Sequence, residues 1–319
     1  MDFLPVFLKM MELFLIILIG YIAAKCGVMN KSAKQYLSKI VLYISMPCTI
    51  LSAVLNAKEL PGTKEMINLL LVSFSSYFVL YVLAKISSLL LRTRGKEKGV
   101  VEFAIMFSNV GFIGFPVTYA IFGSESMIYT TVFNIPFNLL CYSLGVRMIM
   151  AGSEHSDNVS GENKKGLDGK SVIKLLATPA MIASILAIIL AMSGLKGPEI
   201  FGDLTETLGG ITTPGALLII GCALSEMPVK QMFLNVKAYA VTAISVLITP
   251  LVMYGLYRGL ITSNDLLLGE TVIISAMPVA TAGTMLCVEK DGDEKFMAQV
   301  TFLSTLATVI TIPLLATML

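Results

Sequence analysis

Charged residues are scarce in this chain of 319 residues. They make up 14% of the sequence, whereas hydrophobic residues make up 56% and the mean hydropathy is +0.83. A soluble globular domain contains about 25% charged residues. The low charge and the repeated apolar runs of about 20 residues exclude a soluble protein and predict an all-α polytopic membrane protein. The length accommodates about ten spans with short loops and leaves no room for a large soluble domain.

Sequence signatures of enzymes are also absent. The chain contains no HExxH, GxSxG, Walker or CxxC motif, and its single histidine, His155, lies in a polar stretch. These absences argue against an enzyme, a metal site and an ATP-driven pump built from this chain alone. No cofactor and no nucleic-acid partner is expected. The cysteines are predicted to be free thiols in or beside the spans, at Cys26, Cys48, Cys141, Cys222 and Cys287.

Apolar runs predict ten transmembrane helices. The second span is expected to break at Met46-Pro47 and the seventh at Thr213-Pro214, because an interior proline removes a backbone hydrogen bond. A polar segment rich in Ser, Gly, Asn and charges follows the fifth span and is predicted to be a linker. The predicted spans are 5–24, 36–55, 67–91, 102–122, 127–150, 172–195, 200–224, 236–257, 267–288 and 296–318.

Basic residues are unevenly divided between the two sides of the predicted bundle. Most of the 23 lysines and arginines lie in the first, third, seventh and ninth loops and around the linker. Positively charged loops remain in the cytoplasm, so both termini are predicted to be extracytoplasmic and the linker cytoplasmic. The chain starts Met1-Asp2-Phe3, without the basic start of a secretory signal. Residues 5–24 are therefore interpreted as the first span of a multi-pass protein of the cytoplasmic membrane.

Two groups of five spans predict an inverted repeat, because an odd number of spans reverses the orientation of the second half. The expected organisation is a first repeat at 1–150, a linker at 151–171 and a second repeat at 172–319. Pro47 then corresponds to Pro214, and Glu102 corresponds to Glu270. Both glutamates are expected at helix starts, where a carboxylate interacts favourably with the helix dipole.

The fourth and ninth spans are both interrupted near their middles. The fourth contains SNVG at 108–111 and GFP at 114–116, and the ninth contains SAMPVATAG at 275–283. Glycine and proline disfavour a continuous helix, and in hydrocarbon the freed backbone groups need other partners. A kinked packing helix is one explanation. Paired interruptions at corresponding depths instead indicate a substrate site.

Two of these motifs resemble a known family. FSNVGFIGFPVTYAIFG at 107–123 is similar to the corresponding motif of the auxin efflux carrier family of transporters. SAMPVATAGTMLCVEKDGDEKFMAQVTFLSTLATVITIPLL at 275–315 resembles that family's last two spans. The likeness covers essentially all ten spans, although only these two motifs are specific. The family includes plant PIN auxin exporters and bacterial carriers of malonate and other small carboxylates.

The resemblance implies a division into a scaffold domain (spans one, two, six and seven) and a transport domain (three to five and eight to ten). Helices 4 and 9 would break and cross near the midplane, the transport domain would move like an elevator, and the scaffold would form a homodimer. The function expected is secondary active transport of a small organic anion, such as a carboxylate or an auxin-like acid, coupled to H⁺ or Na⁺. A passive channel or facilitator for small organic solutes is the alternative.

The crossing can bind an anion because each half-helix presents a partially positive N-terminus. Asn109 either donates its amide to the substrate or closes the crossing through a structural hydrogen bond. Asn134 and Asn138, four residues apart on one helix face, serve either as ligands or as links between helices. The predicted substrate-binding residues are Asn109, Gly111, Pro116, Asn134, Asn138, Pro278, Val279 and Thr281.

Two further groups complete the predicted site. The residues flanking the scaffold prolines line the opposite wall, or their hydroxyls satisfy carbonyls freed by the kinks; they are Ser45, Pro47, Thr49, Thr213 and Pro214. The candidates for ion coupling are ionisable groups in or near the spans, because such groups are expensive in hydrocarbon; they are Glu12, Glu206 and Lys85, together with Glu102 and Glu270, for which the interaction with the helix dipole is the alternative. Lys85 is alternatively expected to extend toward the cytoplasmic face.

Overall fold

The computed structural model describes residues 3–57, 62–151, 179–193, 197–226, 233, 235–261 and 264–319. Nearly all of the predicted linker, His155 and the start of the predicted sixth span lie outside these residues. The described helices are α1 (Phe3–Lys25), α2 (Ser32–Leu55), α3 (Thr63–Leu90), α4 (Gly95–Met106), α5 (Val110–Phe122), α6 (Ser126–Met150), α7 (Pro179–Ser193), α8 (Glu199–Ser225), α9 (Val236–Arg258), α10 (Asp265–Ser275), α11 (Ala282–Glu289) and α12 (Glu294–Ala316).

The protein is an all-helical, polytopic membrane protein. Six of the described helices are long and apolar enough to cross a membrane, namely α2, α3, α6, α8, α9 and α12. Large apolar side chains remain exposed along their outer faces, for example Leu71, Phe78 and Ile248. Exposed apolar surface of this extent is expected where lipid replaces water as the solvent.

Prolines are accommodated by π-helical turns in three of the helices. The π turns at Val41–Ser45, Val110–Gly114 and Ile244–Ile248 each end two residues before a proline. A π turn shifts the hydrogen-bond register, so the carbonyl that a proline cannot bond finds another donor. The predicted break at Met46-Pro47 is therefore wrong, because α2 continues through Pro47 without interruption.

The seventh predicted span bends before its proline rather than at it. In α8, the helical segments Glu199–Gly209 and Thr212–Ser225 are joined by a turn at Gly210 and Ile211. Pro214 then occupies the first turn of the second segment, where a missing backbone N–H costs little. The interruption predicted at Thr213-Pro214 is thus real but is displaced by two to four residues.

One group of helices packs around α1 and α8. The two helices approach so closely that their backbones are in contact: a Cβ added to Gly221 would lie 1.9 Å from the Ile17 carbonyl oxygen, and one added to Gly20 would lie 2.5 Å from that of Leu218. The first segment of α8 packs against α2, where Asn56 Nδ2 donates to Glu206 at 2.8 Å. Helix α7 also packs against α2.

The remaining helices surround the two short pairs α4–α5 and α10–α11. Helix α3 packs along α4, α9 packs along α10 and α12, and α6 contacts α3, α4, α5 and α10. Their common core contains the buried aromatic residues Phe103, Phe107 and Phe133. Phe107 contacts both Phe103 and Phe137, with ring centroids 4.9 Å and 6.1 Å apart. This packing holds the two interrupted helices together in the middle of the bundle.

Candidate functional site

The two helix interruptions meet and pair with each other. Ser108 and Val279 form an antiparallel bridge, in which the Asn109 backbone N–H donates to the Pro278 carbonyl at 2.7 Å. The Ala280 N–H donates to the Phe107 carbonyl at 2.9 Å. Each break therefore satisfies backbone groups of the other, as an apolar environment requires. The antiparallel pairing also means that α4 and α10 approach this crossing from opposite directions.

Two serines reinforce the crossing, and neither was singled out from the sequence. Ser108 Oγ donates to the Ile274 carbonyl in the last turn of α10 at 2.8 Å. Ser304, fully buried in α12, accepts the Val279 N–H at 3.0 Å. Serine is common in transmembrane helices, so the sequence does not distinguish these two serines from others. Only their contacts with the interrupted backbone identify them.

Asn109 uses only one of its two side-chain polar groups within the structure. Its Oδ1 accepts the Phe112 N–H at 3.1 Å and thereby caps α5. Its Nδ2 is buried and has no hydrogen-bond partner, although the whole residue is only 2% exposed. The structural role expected for Asn109 is therefore present, and a free donor remains beside it.

Asn134 in α6, a helix that contacts the start of α5, carries a second unpartnered donor. The residue is 1% exposed and its Nδ2 has no partner. Gly111 lies between α6 and α2, because a Cβ built on it would lie 3.9 Å from Asn134 Oδ1 and 3.4 Å from Met46 Cε. The adjacent Ser45 Oγ is also buried without a partner. Three buried polar atoms, on α2, at the N-cap of α5 and on α6, thus lack a hydrogen-bond partner.

Two helices begin at this same place. Helix α5 starts at Val110 and α11 at Ala282, directly after the paired breaks. A helix N-terminus carries a partial positive charge of about half a unit, so the crossing combines two such ends with neutral amide donors. This arrangement suits an anion without needing a buried lysine or arginine.

Comparison with known proteins agrees with this geometry. The family described as membrane transport protein matches residues 5–316. The chain belongs to this family. A protein named uncharacterised transporter from Methanothermobacter thermautotrophicus is 25% identical over 312 residues, 95% of each chain. A second uncharacterised transporter, from Methanocaldococcus jannaschii, is 26% identical over 311 residues, 94% of each chain. The resemblance to auxin efflux carriers is confirmed at the level of the family.

The other predicted binding residues differ in whether their polar groups are already used within the protein. Pro116 lies in the first turn of the α-helical part of α5, and Pro278 and Val279 already use backbone groups in the crossing. Thr281 precedes α11 and does not cap it through its side chain. Asn138 donates its Nδ2 to the Asn134 carbonyl at 2.8 Å, so its amide serves its own helix.

The residues predicted to line the scaffold side mostly join α2 to α8. Thr49 Oγ1 is 3.0 Å from the carbonyls of both Ser45 and Gly209, and 2.8 Å from the Thr212 hydroxyl. Of the two explanations considered for these residues, the contacts of Thr49 fit a hydroxyl that satisfies backbone carbonyls at the helix bends. Pro47 and Thr213 are half-buried, and Pro214 is exposed.

Of the predicted coupling residues, Glu12, Glu206 and Lys85 are exposed or already paired. Glu12 is exposed in α1, and Glu206 is exposed and accepts from Asn56. Lys85 is half-buried and its Nζ lies 2.6 Å from Glu102 Oε2. Lys85 therefore binds a carboxylate in the bundle instead of only extending to the surface.

The two glutamates expected at helix starts lie in helix interiors. Glu102 is the eighth residue of α4 and Glu270 the sixth of α10. The favourable interaction with the helix dipole is therefore not their explanation, because that effect fades beyond the first turn. Both are buried, at 2% and 0% exposure. Within the described ranges, His, Cys, Asp and Glu side chains do not gather into groups of three or more that would suggest a metal site.

Proposed function

We propose that this transporter is a secondary active carrier that moves a small organic anion, such as a carboxylate or an auxin-like acid, across the cytoplasmic membrane. The observation that carries the proposal is the pair of buried, unpartnered amide donors, Asn109 Nδ2 and Asn134 Nδ2, beside the paired breaks. Two helix N-termini start at the same crossing. Donors and dipoles of this kind recognise a carboxylate.

The energetic cost of the unpartnered donors supports a ligand. A buried donor without an acceptor costs about 1–3 kcal/mol. A carboxylate that accepts from both amides removes this cost and forms charge-assisted hydrogen bonds, which are about twice as strong as neutral ones. Asn109 and Asn134 thus fit a site that becomes satisfied only when an anion binds.

The proposed architecture is ten spans arranged as two inverted repeats of five, at 1–150 and 172–319, joined by a cytoplasmic linker at 151–171. The antiparallel pairing of the breaks and the correspondence of α4–α5 with α10–α11 support this symmetry. In this proposal α1, α2, α7 and α8 form the scaffold, and the other helices form the transport domain. The scaffold is also the proposed site of homodimer formation.

Alternating access is proposed to occur by an elevator-like movement of the transport domain. The crossing residues are buried in the described conformation, with Asn109 only 2% exposed. A substrate therefore reaches the amides only after α5 and α6 move relative to α2. The contact between Gly111 and Met46 lies at the boundary that must open.

Transport in proteoliposomes tests the proposal. The purified protein is first screened by thermal unfolding against monocarboxylates, dicarboxylates and indole acids, with and without sodium, because a bound ligand raises the unfolding temperature. A carboxylate that stabilises the protein should then accumulate against its gradient when an ion gradient is imposed. Asn109→Ala and Asn134→Ala should abolish accumulation. Wild-type accumulation in both variants would contradict the assignment of Asn109 and Asn134 to the anion site.

A passive channel or facilitator is the second candidate function. Broken helices also occur in channels, and the closely packed crossing is the feature that favours a carrier. The same proteoliposome assay distinguishes a carrier from a channel. A carrier concentrates the anion and exchanges labelled for unlabelled substrate, whereas a channel only lets the anion equilibrate with its electrochemical gradient.

A further inference from the structure

Two buried carboxylates lie on opposite sides of the crossing. Glu102 precedes the break after α4 and Glu270 precedes the break after α10, each by about 8–9 Å along the helix at 1.5 Å per residue. Because the breaks pair in antiparallel fashion, the two helices bring their glutamates in from opposite directions. The two sites occupy corresponding positions, yet their surroundings differ.

Glu102 is neutralised by lysine. Lys85 Nζ lies 2.6 Å from one carboxylate oxygen, and Lys98 Nζ lies 3.9 Å from the other. Lys85 also lies over the Tyr81 ring at 5.3 Å. Removing either member of this buried ion pair would leave the other uncompensated. Glu102 therefore joins α3 to α4 as a structural ion pair.

Glu270 has no such partner. Its side chain is fully buried, and its hydrogen-bond partner is Thr130 Oγ1, at 3.4 and 3.5 Å from its two oxygens. Among the described residues, no salt bridge includes Glu270. An unpaired carboxylate in an apolar interior is so unfavourable that the group takes up a proton instead.

The helices packed against α10 do not supply a cation to Glu270 in the part of the chain that the structure describes. These helices are α3, α5, α6, α9 and α12. Their titratable and charged residues are Lys64, Glu65, Tyr77, Tyr81 and Lys85 on α3, Tyr119 on α5, Tyr129, Cys141, Tyr142 and Arg147 on α6, Lys237, Tyr239, Tyr254, Tyr257 and Arg258 on α9, and Glu294 and Lys295 on α12.

The outermost of these groups have partners of their own. Glu65 Oε1 accepts from Tyr129 at 2.6 Å and from Asn264 at 2.9 Å. Tyr257 shares a hydrogen bond of 2.7 Å with Ser75, and Arg258 lies over the ring of Tyr254. Asp265, on α10 itself, lies in the first turn. The Glu270 carboxyl is thus isolated from opposite charge.

A pair of threonines connects Glu270 to the substrate-binding half-helix. Thr130 Oγ1 lies 2.7 Å from Thr118 Oγ1, and both residues are fully buried. Thr118 belongs to α5, whose N-terminus Asn109 caps. A Glu270 carboxylate accepts a hydrogen bond from the Thr130 hydroxyl. A protonated Glu270 can instead donate to Thr130 Oγ1, and the Thr130 hydroxyl then donates to the Ser126 carbonyl, 3.1 Å away. Protonation of Glu270 therefore exchanges donor and acceptor in the Glu270–Thr130 hydrogen bond. Thr130 in turn is hydrogen-bonded to Thr118 of α5.

We propose that Glu270 carries the coupling proton, so that one proton moves with the organic anion. This inference rests on the proposed anion transport. The step is a simple protonation: the Glu270 carboxylate accepts one proton from the aqueous phase and becomes a neutral acid. A negative charge on Glu270, about 9 Å from the crossing, opposes anion binding by roughly twentyfold at an effective dielectric constant near 20. Proton and anion consequently favour each other's binding by the same factor, which favours loading of both in one transport cycle.

Infrared spectroscopy tests the protonation without any substrate. The difference spectrum between the full-length wild-type protein and Glu270→Gln at neutral pH should contain the C=O stretch of a buried carboxylic acid, which the variant lacks. Glu125→Gln, at an exposed acid just before α6, is the control and should leave that band unchanged. A wild-type spectrum without a protonated carboxyl band attributable to Glu270 overturns the proposal, whatever the transport assays give.

Proteoliposome assays with radiolabelled malonate test the coupling. In Glu270→Gln, which imitates the protonated acid, exchange of labelled for unlabelled malonate should persist, while accumulation driven by a pH gradient should fall at least tenfold. Unchanged accumulation in this variant overturns the role of Glu270 and leaves the anion site intact. Absence of malonate movement in the wild-type protein counts against the proposed transport of this anion, and the infrared band then decides the protonation alone.

Discussion

Asn109 has one side-chain atom that supports the fold and one that is left for the proposed site. Its Oδ1 caps α5 through the Phe112 N–H, whereas its Nδ2 is buried without an acceptor. The sequence predicts an asparagine at the break, and it leaves open whether the amide supports the backbone or the substrate. The two side-chain atoms have separate environments that depend on residues distant in the sequence, so the sequence alone could not distinguish their roles.

Replacing Asn109 by aspartate separates the two roles. Aspartate is as good an N-cap as asparagine, so Asn109→Asp should keep α5 capped. Its second oxygen is buried without a donor, so the unfolding free energy should fall by about 1–3 kcal/mol or more. The free donor becomes a negatively charged oxygen, which repels an anion, so uptake should fall at least tenfold. Thermal unfolding and proteoliposome uptake measure the two effects.

The matched control for this variant is Asn30→Asp. Asn30 caps α2 in the same way, through the Ala33 N–H at 2.8 Å, but it is exposed at the end of the bundle. It should retain wild-type uptake. Wild-type uptake in Asn109→Asp would show that the Nδ2 group does not contact the substrate.

Asn134 should reveal a conflict between stability and function. Its buried Nδ2 lacks a partner, so Asn134→Leu removes an unsatisfied donor while retaining the branched shape of the side chain. The variant should therefore unfold at the same temperature as the wild type or a higher one, and yet lose transport. A lower unfolding temperature combined with normal transport would contradict this account. Both quantities are measurable on one purified preparation.

At the scale of helices, the apolar pattern predicts where the helices lie. It does not predict where they start or how they accommodate prolines. Helix α4 begins at Gly95 because the charged stretch before 102 is also helical, which places Glu102 in an interior position. Pro47 does not break α2, because a π turn accommodates it. Hydropathy reports the apolar length of a span, whereas hydrogen-bond register depends on packing against neighbouring helices.

Glycine spacing in the sequence likewise does not show which helices pack closely, and this can be tested. Gly255 and Gly259 have the spacing of a close-packing motif, but a Cβ on either would meet open space. Gly221, by contrast, permits the backbone contact between α1 and α8. Gly221→Ala should destabilise the protein by about 1–3 kcal/mol or more, since neither backbone can move aside easily.

The matched control is Gly255→Ala in the exposed part of α9. This change should be neutral or stabilising by up to about 1 kcal/mol, because alanine favours a helix over glycine. Unfolding in detergent measures both variants. Equal destabilisation by the two substitutions would show that the close contact of α1 with α8 contributes little.

For the whole molecule, the predicted orientation is testable through a native cysteine. Cys26 at the end of α1 is exposed, Cys48 is half-buried, and Cys141, Cys222 and Cys287 are buried. The basic loop after α1 is predicted to be cytoplasmic. A membrane-impermeant maleimide should therefore label Cys26 only after the cells are permeabilised. Labelling in intact cells that disappears in Cys26→Ala would reverse the proposed orientation.

The central claim is that an organic anion binds between the paired breaks, and a structure with a bound carboxylate tests it most directly. The carboxylate used is the one that most raises the unfolding temperature in the ligand screen. A carboxylate oxygen should lie about 2.7–3.2 Å from Asn109 Nδ2, with Asn134 Nδ2 contacting the same anion. A carboxylate bound elsewhere, with both amide groups still unpartnered, would contradict the account.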